Sequence, residues 1–152
     1  MLIDTHCHLY LPEFAQDIEQ VIERAVANDV QRFYLPAIDS ETHEEVMALE
    51  KKFPGRCFAM MGLHPCSVKE DPSNELAIVD AYLAAGKFAA IGETGLDLYW
   101  DKTQFKQQVA SLHRHIEWAL QYQLPIVLHT RNATKEVIDE VTKYKDSGLY
   151  GV

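Results

Sequence analysis

Apolar positions along this chain recur with two periods, and the pattern switches between them from one end to the other. Leu2 to Thr5 is a short apolar start. Phe14, Ile18, Val21, Ile22 and Ala25 follow at spacings of three and four, which is one face of a helix. Val30 to Ile38 (VQRFYLPAI) reads as a strand, and Ser40 as the cap of a helix running to about Lys52. Cys57 to Gly62 is a third strand, and Pro72-Ser73-Asn74 opens a third helix that ends near Gly86. Phe88 to Ile91 is a fourth strand, and Phe105, Val109, Leu112, Ile116 and Leu120 mark a long fourth helix. Leu124 to Leu128 is a fifth strand, Thr134 to Tyr144 a fifth helix, and Leu149 onward the opening of a sixth strand. Strands that are nearly continuous apolar runs, each followed by a helix, describe a parallel sheet covered by helices.

No low-complexity stretch or linker divides these units, so residues 1–152 read as one α/β domain. A complete (β/α) barrel takes about 250 residues, with about 200 near the lower limit. The pattern therefore predicts either the N-terminal part of a truncated TIM-type barrel or a smaller open α/β sheet. The break inside a sixth strand favours the first.

Composition narrows the picture in three ways. The chain is 47% hydrophobic and 24% charged, as ordinary globular domains are. No apolar run approaches the roughly 20 residues of a membrane helix. The start lacks the basic and apolar regions of a signal peptide, which predicts a cytoplasmic protein with no membrane attachment. Cys7, Cys57 and Cys66 form no C-x-x-C pair and suit neither a disulfide scaffold nor a zinc knuckle. The net charge of −9 disfavours general nucleic-acid binding, because phosphate affinity comes mainly from Lys and Arg. A phosphodiester substrate would need bound cations to supply positive charge.

Candidate chemistry starts at Asp4-Thr5-His6-Cys7-His8. On a strand, residues i and i+2 point to the same side, so His6 and His8 converge while Cys7 turns away. Two imidazoles aimed at one point can chelate a divalent cation. Asp4 lies on the same side and can support a ligand from behind. His113 and His115 repeat the H-x-H pattern on a helix, where i and i+2 diverge by about 200°. These two, and His43 on the second helix, read as solvated surface residues. Glu93, His129 and His64 each follow an apolar strand, where parallel barrels build their active sites.

Four runs together carry a resemblance: IDTHCHL (Ile3 to Leu9), GLHP (Gly62 to Pro65), IGETGLD (Ile91 to Asp97) and LHTRNA (Leu128 to Ala133). In this order they resemble the TatD-type metal-dependent hydrolases of the amidohydrolase-like superfamily. The resemblance implies a TIM barrel with one or two divalent cations, Zn, Mg or Mn, and deoxyribonuclease activity. It makes His6 and His8 ligands of one metal, Glu93 a catalytic bridge between two, and His129 a ligand of the second. It places His64 beside the site as a catalytic or substrate-binding group, and Arg131 at substrate phosphate. Arg131 reads equally as a surface residue paired with an acidic neighbour. Asp97 reads first as a turn residue and second as a group orienting a ligand. Tyr99 and Trp100 read as packing under a loop or, less favoured, as a stacking surface for bases.

The family pattern also has a His after strand six and an Asp on a later strand, and the chain ends before both. Residues 1–152 alone are therefore expected to show no more than trace phosphodiesterase activity and to leave sheet edges open. DNA or another phosphodiester is the expected substrate, with no stable protein partner inferred. The rival expectation is an ester or amide hydrolase of deacylase type, or an inactive fragment.

Overall fold

A computed structural model describes all 152 residues. Strands and helices alternate: β1 (Leu2–Asp4), α1 (Ile18–Ala27), β2 (Val30–Leu35), α2 (His43–Lys52), β3 (Cys57–Ala59), α3 (Ser73–Ala85), β4 (Ile91–Asp97), α4 (Phe105–Tyr122), β5 (Ile126–Arg131) and α5 (Thr134–Thr142). Every strand pairing is parallel, β1 with β2, β2 with β3, and β4 with β5. A bridge from Met61 to Ile91 joins the two groups, and one from Ile126 to Gly151 starts a sixth position. The strands thus neighbour one another in chain order. A doubly wound sheet reverses its order; this succession does not, as in part of a TIM-like fold.

The two faces of the sheet bury different residues. The larger cluster sits under the helices and joins Ile22, Leu35, Val46, Ala59, Met61, Ile91, Leu112, Ile116 and Trp118. The smaller one joins Met60, Ala90 and Val127, with Tyr34 and Ala89 against them, and contains no helix residue. Neighbours in sequence fall in different clusters, Met60 against Met61 and Val127 against Ile126, as the period of a strand requires.

Several boundaries differ from the sequence expectation. β4 covers the whole run Ile91 to Asp97 rather than ending at Ile91, and all seven of its residues are buried. Its Gly-Glu-Thr-Gly centre has the composition of a turn. Gly95 explains why it is a strand: its φ is +143°, and a Cβ there would lie 2.1 Å from the His129 carbonyl oxygen. Only glycine lets β4 and β5 close together at this register, where Gly95 faces His129. β5 likewise continues to Arg131, so His129 lies inside a strand. β1 stops at Asp4, ahead of His6. Phe14 falls in a short 3-10 turn before α1. Helix α2 starts at His43, and Ser40 bonds instead to Glu75 of α3, hydroxyl to carboxylate at 2.6 Å.

Candidate metal centre

His6 and His8 lie past the end of β1, where the chain bends at Thr5 and His6, and both rings still converge on Glu93. Cys7 confirms the direction. Its thiol turns the other way, 3.7 Å from the Tyr34 carbonyl, and packs against the helix-side core. Asp4 does not back a ring; its carboxylate accepts from the His6 backbone N–H at 3.1 Å.

Across the strand ends, Glu93 stands among His6, His8, His64 and His129. Its Oε2 lies 2.9 Å from His6 Nε2 and 3.6 Å from His8 Nε2. Its Oε1 lies 3.0 Å from His129 Nδ1 and 3.8 Å from His64 Nε2. One carboxylate therefore faces two pairs of imidazoles with one oxygen each. Two triads, His6-His8-Glu93 and His64-Glu93-His129, are compact enough to hold a cation, and Glu93 belongs to both. The Glu93 side chain is buried, and no Lys or Arg pairs with it. Burial would raise its carboxyl, but hydrogen bonds from His129, His6 and His8 prevail and hold it far below the usual carboxylate range. The same bonds to Glu93 raise His6 and His129.

The hydrogen-bond partners behind the rings decide which nitrogen is free. The Tyr10 hydroxyl donates to the Pro36 carbonyl at 2.6 Å, so it accepts from His8 Nδ1–H at 2.7 Å. Burial pushes the Tyr10 phenol up, which keeps it a donor. A neutral His8 therefore aims an Nε2 lone pair at the Glu93 carboxylate. His64 has the opposite arrangement. Its Nδ1 accepts the Cys66 backbone N–H at 3.1 Å, so its proton sits on Nε2, 3.2 Å from His129 Nδ1. Burial lowers His64 to about 4, which keeps it neutral near pH 7. His129 has a carboxylate at each nitrogen, Glu93 at Nδ1 and Asp97 Oδ2 at Nε2, the latter at 2.9 Å.

Asp97 performs both of its expected jobs. Oδ2 orients His129, while Oδ1 accepts from the backbone N–H groups of Tyr99 and Trp100 at 2.9 and 3.2 Å. Arg131 pairs with no acid. Its guanidinium carbon lies 3.9 Å from the Tyr99 ring centre and 5.2 Å from that of Trp100.

The family model described as TatD related DNase matches residues 3–152. The chain belongs to this family. A metal-dependent hydrolase of Bacillus subtilis, YabD, is 36% identical over 152 residues, covering 100% of this chain and 58% of that protein. Human deoxyribonuclease TATDN3 is 30% identical, over 91% of this chain and 55% of that protein. The crystal structure of YjjV, a TatD homologue of Escherichia coli, superposes with a TM-score of 0.86 at 31% identity, covering 94% of this chain and 56% of that one. The chain thus spans little more than half the length of these relatives.

TatD-family relatives named as metal-dependent hydrolases imply a divalent cation, and the donor set fits one. If His8 gives its only proton to Tyr10 through Nδ1, its Nε2 lone pair faces Glu93 Oε2, and a cation can take the place of the proton that otherwise bonds the two. A neutral His129 meets Glu93 Oε1 in the same way. Either a proton or a cation must lie between such atoms. The Nε2–H of His129 then donates to Asp97, the outer partner that ligating imidazoles usually have. His64 fits less well as a ligand, because its lone pair is already used by Cys66.

Three residues read as surface groups are corrected here. His43 and His115 are fully buried, and His113 bonds to Tyr144 and Glu140. His43 Nε2 donates to the Gly62 carbonyl at 3.1 Å, and the Leu63 N–H donates to His115 Nε2 at 2.9 Å. Those two groups are the ends of one peptide unit. Imidazoles from α2 and α4 thus grip a single peptide immediately ahead of His64. No sequence motif announced Tyr10, although its place two residues after His8 repeats the same-side spacing.

The Tyr10 bond yields a direct expectation. Tyr10→Phe removes the acceptor for His8 Nδ1–H and frees the ring to choose its other tautomer. Cation affinity should fall roughly 10–100-fold, the usual effect of losing an outer partner. Calorimetric titration with Zn or Mn, run beside a melting curve, separates this from unfolding.

Proposed function

We propose that this chain carries the metal-binding half of a phosphodiesterase acting on single-stranded DNA or a similar strand. The observation that carries the reading is the buried Glu93 carboxylate, which presents one oxygen to each of two imidazole pairs. His6, His8 and Glu93 form the first site in this reading, and Glu93 and His129 the second. When bound, such cations lower the pKa of an attacking water and offset charge growing on phosphate.

The chain's own groups do the rest. Glu93 would give one carboxylate oxygen to each site. Tyr10 and Asp97 fix the rings of His8 and His129. His64 stays neutral, and its Nε2–H, which lies 3.2 Å from His129 Nδ1, would turn to a substrate oxygen once His129 gives that lone pair to a cation. Arg131 supplies the nearby fixed positive charge for phosphate. The human relative's name, a deoxyribonuclease, supports phosphodiester over carboxylic ester as the bond cleaved.

The test uses the full-length protein that carries this chain. His6→Ala should abolish cation-dependent cleavage of single-stranded DNA while the fold is kept. His64→Ala should retain the bound cations and lose about 10²-fold or more in turnover, as removal of one transition-state donor does. Brisk hydrolysis of an aminoacyl ester with DNA left intact would replace this reading with a deacylase.

A further inference from the structure

The loop between β4 and α4 leaves two aromatic rings in water beside the candidate site. Tyr99 is 51% exposed and Trp100 69%. Packing under a loop is therefore not their role. The rings stand perpendicular, 4.8 Å between centres and 89° between planes, and Arg131 fills the corner between them. This corner is tied to the candidate metal centre by one carboxylate. Asp97 holds His129 with Oδ2 and the backbone of Tyr99 and Trp100 with Oδ1. Arg131 sits two residues beyond His129 on β5, directly across from Asp97 in the ladder.

Exposing two aromatic rings costs hydration free energy, and here they are not left to drift. Their backbone is pinned, and a guanidinium free of any carboxylate partner is stacked on them. Such a guanidinium keeps its fork of N–H donors for an outside anion. A flat apolar surface next to an unpaired planar cation matches one chemical unit, a base joined to a phosphate. The acidic balance of the chain argues the same way. At a net charge of −9, stacking, which is indifferent to charge, can add strand affinity to what bound cations supply.

We infer that Tyr99, Trp100 and Arg131 form a nucleotide subsite of a single strand, with a base on the open face of Trp100 and the adjoining phosphate on Arg131. This rests on the phosphodiesterase reading for the identity of the neighbouring site. It adds what that reading lacks, a surface that distinguishes an unpaired base from a bare sugar-phosphate chain. A base inside a duplex has both faces covered and cannot use it.

The experiment titrates the full-length protein, in chelator so that nothing is cleaved, with a short oligothymidylate and follows tryptophan fluorescence. The oligomer should quench the emission. An abasic oligomer of equal length, and a duplex, should not. Trp100→Leu should remove the quench and weaken binding roughly tenfold, within the range measured for single stacking residues. Arg131→Ala should keep the quench and lower the salt slope of log affinity by about 0.7, one phosphate's worth on a single strand. Equal binding of the abasic oligomer or the duplex, or a quench that survives Trp100→Leu, overturns the subsite. Manganese is then added. Cleavage of both oligomers without a quench leaves the phosphodiesterase standing and removes the subsite. A quench with neither oligomer cleaved does the reverse.

Discussion

Glu93→Gln is expected to remove cation binding from both triads at once. The two share no other residue, and each of their oxygens comes from this one side chain. An amide is neutral and keeps only one acceptor atom. If that atom faces His129, an N–H₂ group faces the His8 lone pair, and the proton takes the place of the cation. Affinity should fall by more than about 100-fold, the upper end of what loss of an outer partner alone causes. Calorimetry with Zn or Mn should register no binding event, and cation-dependent hydrolysis should disappear. The metal-free protein offers an independent readout. His6 and His129 owe their raised titration first to the hydrogen bonds they donate to Glu93, so both should titrate lower in the variant. Imidazole resonances followed against pH would show it. Retention of one tightly bound cation would mean that the triads do not depend on a common carboxylate, and the bridging assignment would have to be abandoned.

The parts of this site that sequence could reveal are those whose geometry repeats locally. The i, i+2 spacing of His6 and His8 was enough to place both rings on one side, and Cys7 does turn to the core, although the chain bends at Thr5 and His6 instead of continuing as a strand. The strand order followed from the regular succession of apolar runs and amphipathic stretches. What stayed hidden depends on contacts between distant segments. The fourth strand is expected to stop at Ile91, because composition does not register how closely β5 approaches; the packing of Gly95 on His129 lets it run to Asp97. Asp97 was weighed as a turn residue or a ligand-orienting one, and a carboxylate with two oxygens is both.

The helical histidines are a different case, since the signal was present. On α4, Leu112, His115, Ile116 and Ala119 form one i, i+3, i+4, i+7 stripe, and all four are buried. On α2, His43 stands three residues before Val46 and six before Leu49, again on the inner face. Set against this apolar stripe, His115 lies inside it and His113 beside it. Burial of an imidazole also implies partners, because an unpaired ring nitrogen in a core is costly. For His115 those partners are the Leu63 N–H and the Ser111 carbonyl.

That pairing makes acid sensitivity the second large effect. Burial lowers His115 to about 4, so the folded protein holds it neutral while the unfolded chain protonates near 6.5. The unfolded state takes up its proton first as pH falls. The contribution of His115 is therefore complete above about pH 6.5 and declines toward pH 4, by about 2 kcal/mol between pH 7 and 4.5. His115→Gln retains a donor for Ser111 and an acceptor for Leu63 but cannot titrate. Urea unfolding at several pH values should show the wild type losing stability on acidification faster than the variant, by that margin. His64, also lowered to about 4, contributes to both curves and cancels in the difference. Parallel curves would place the acid response elsewhere. The consequence extends to the candidate site through the gripped peptide. Protonation turns His115 Nε2 from an acceptor into a donor opposed to the Leu63 N–H. One end of the Gly62–Leu63 unit is then released, and the next residue is His64. Acid should therefore loosen His64 before the fold as a whole gives way, and amide exchange at Leu63 and His64 should quicken at a higher pH than exchange in the centre of β5.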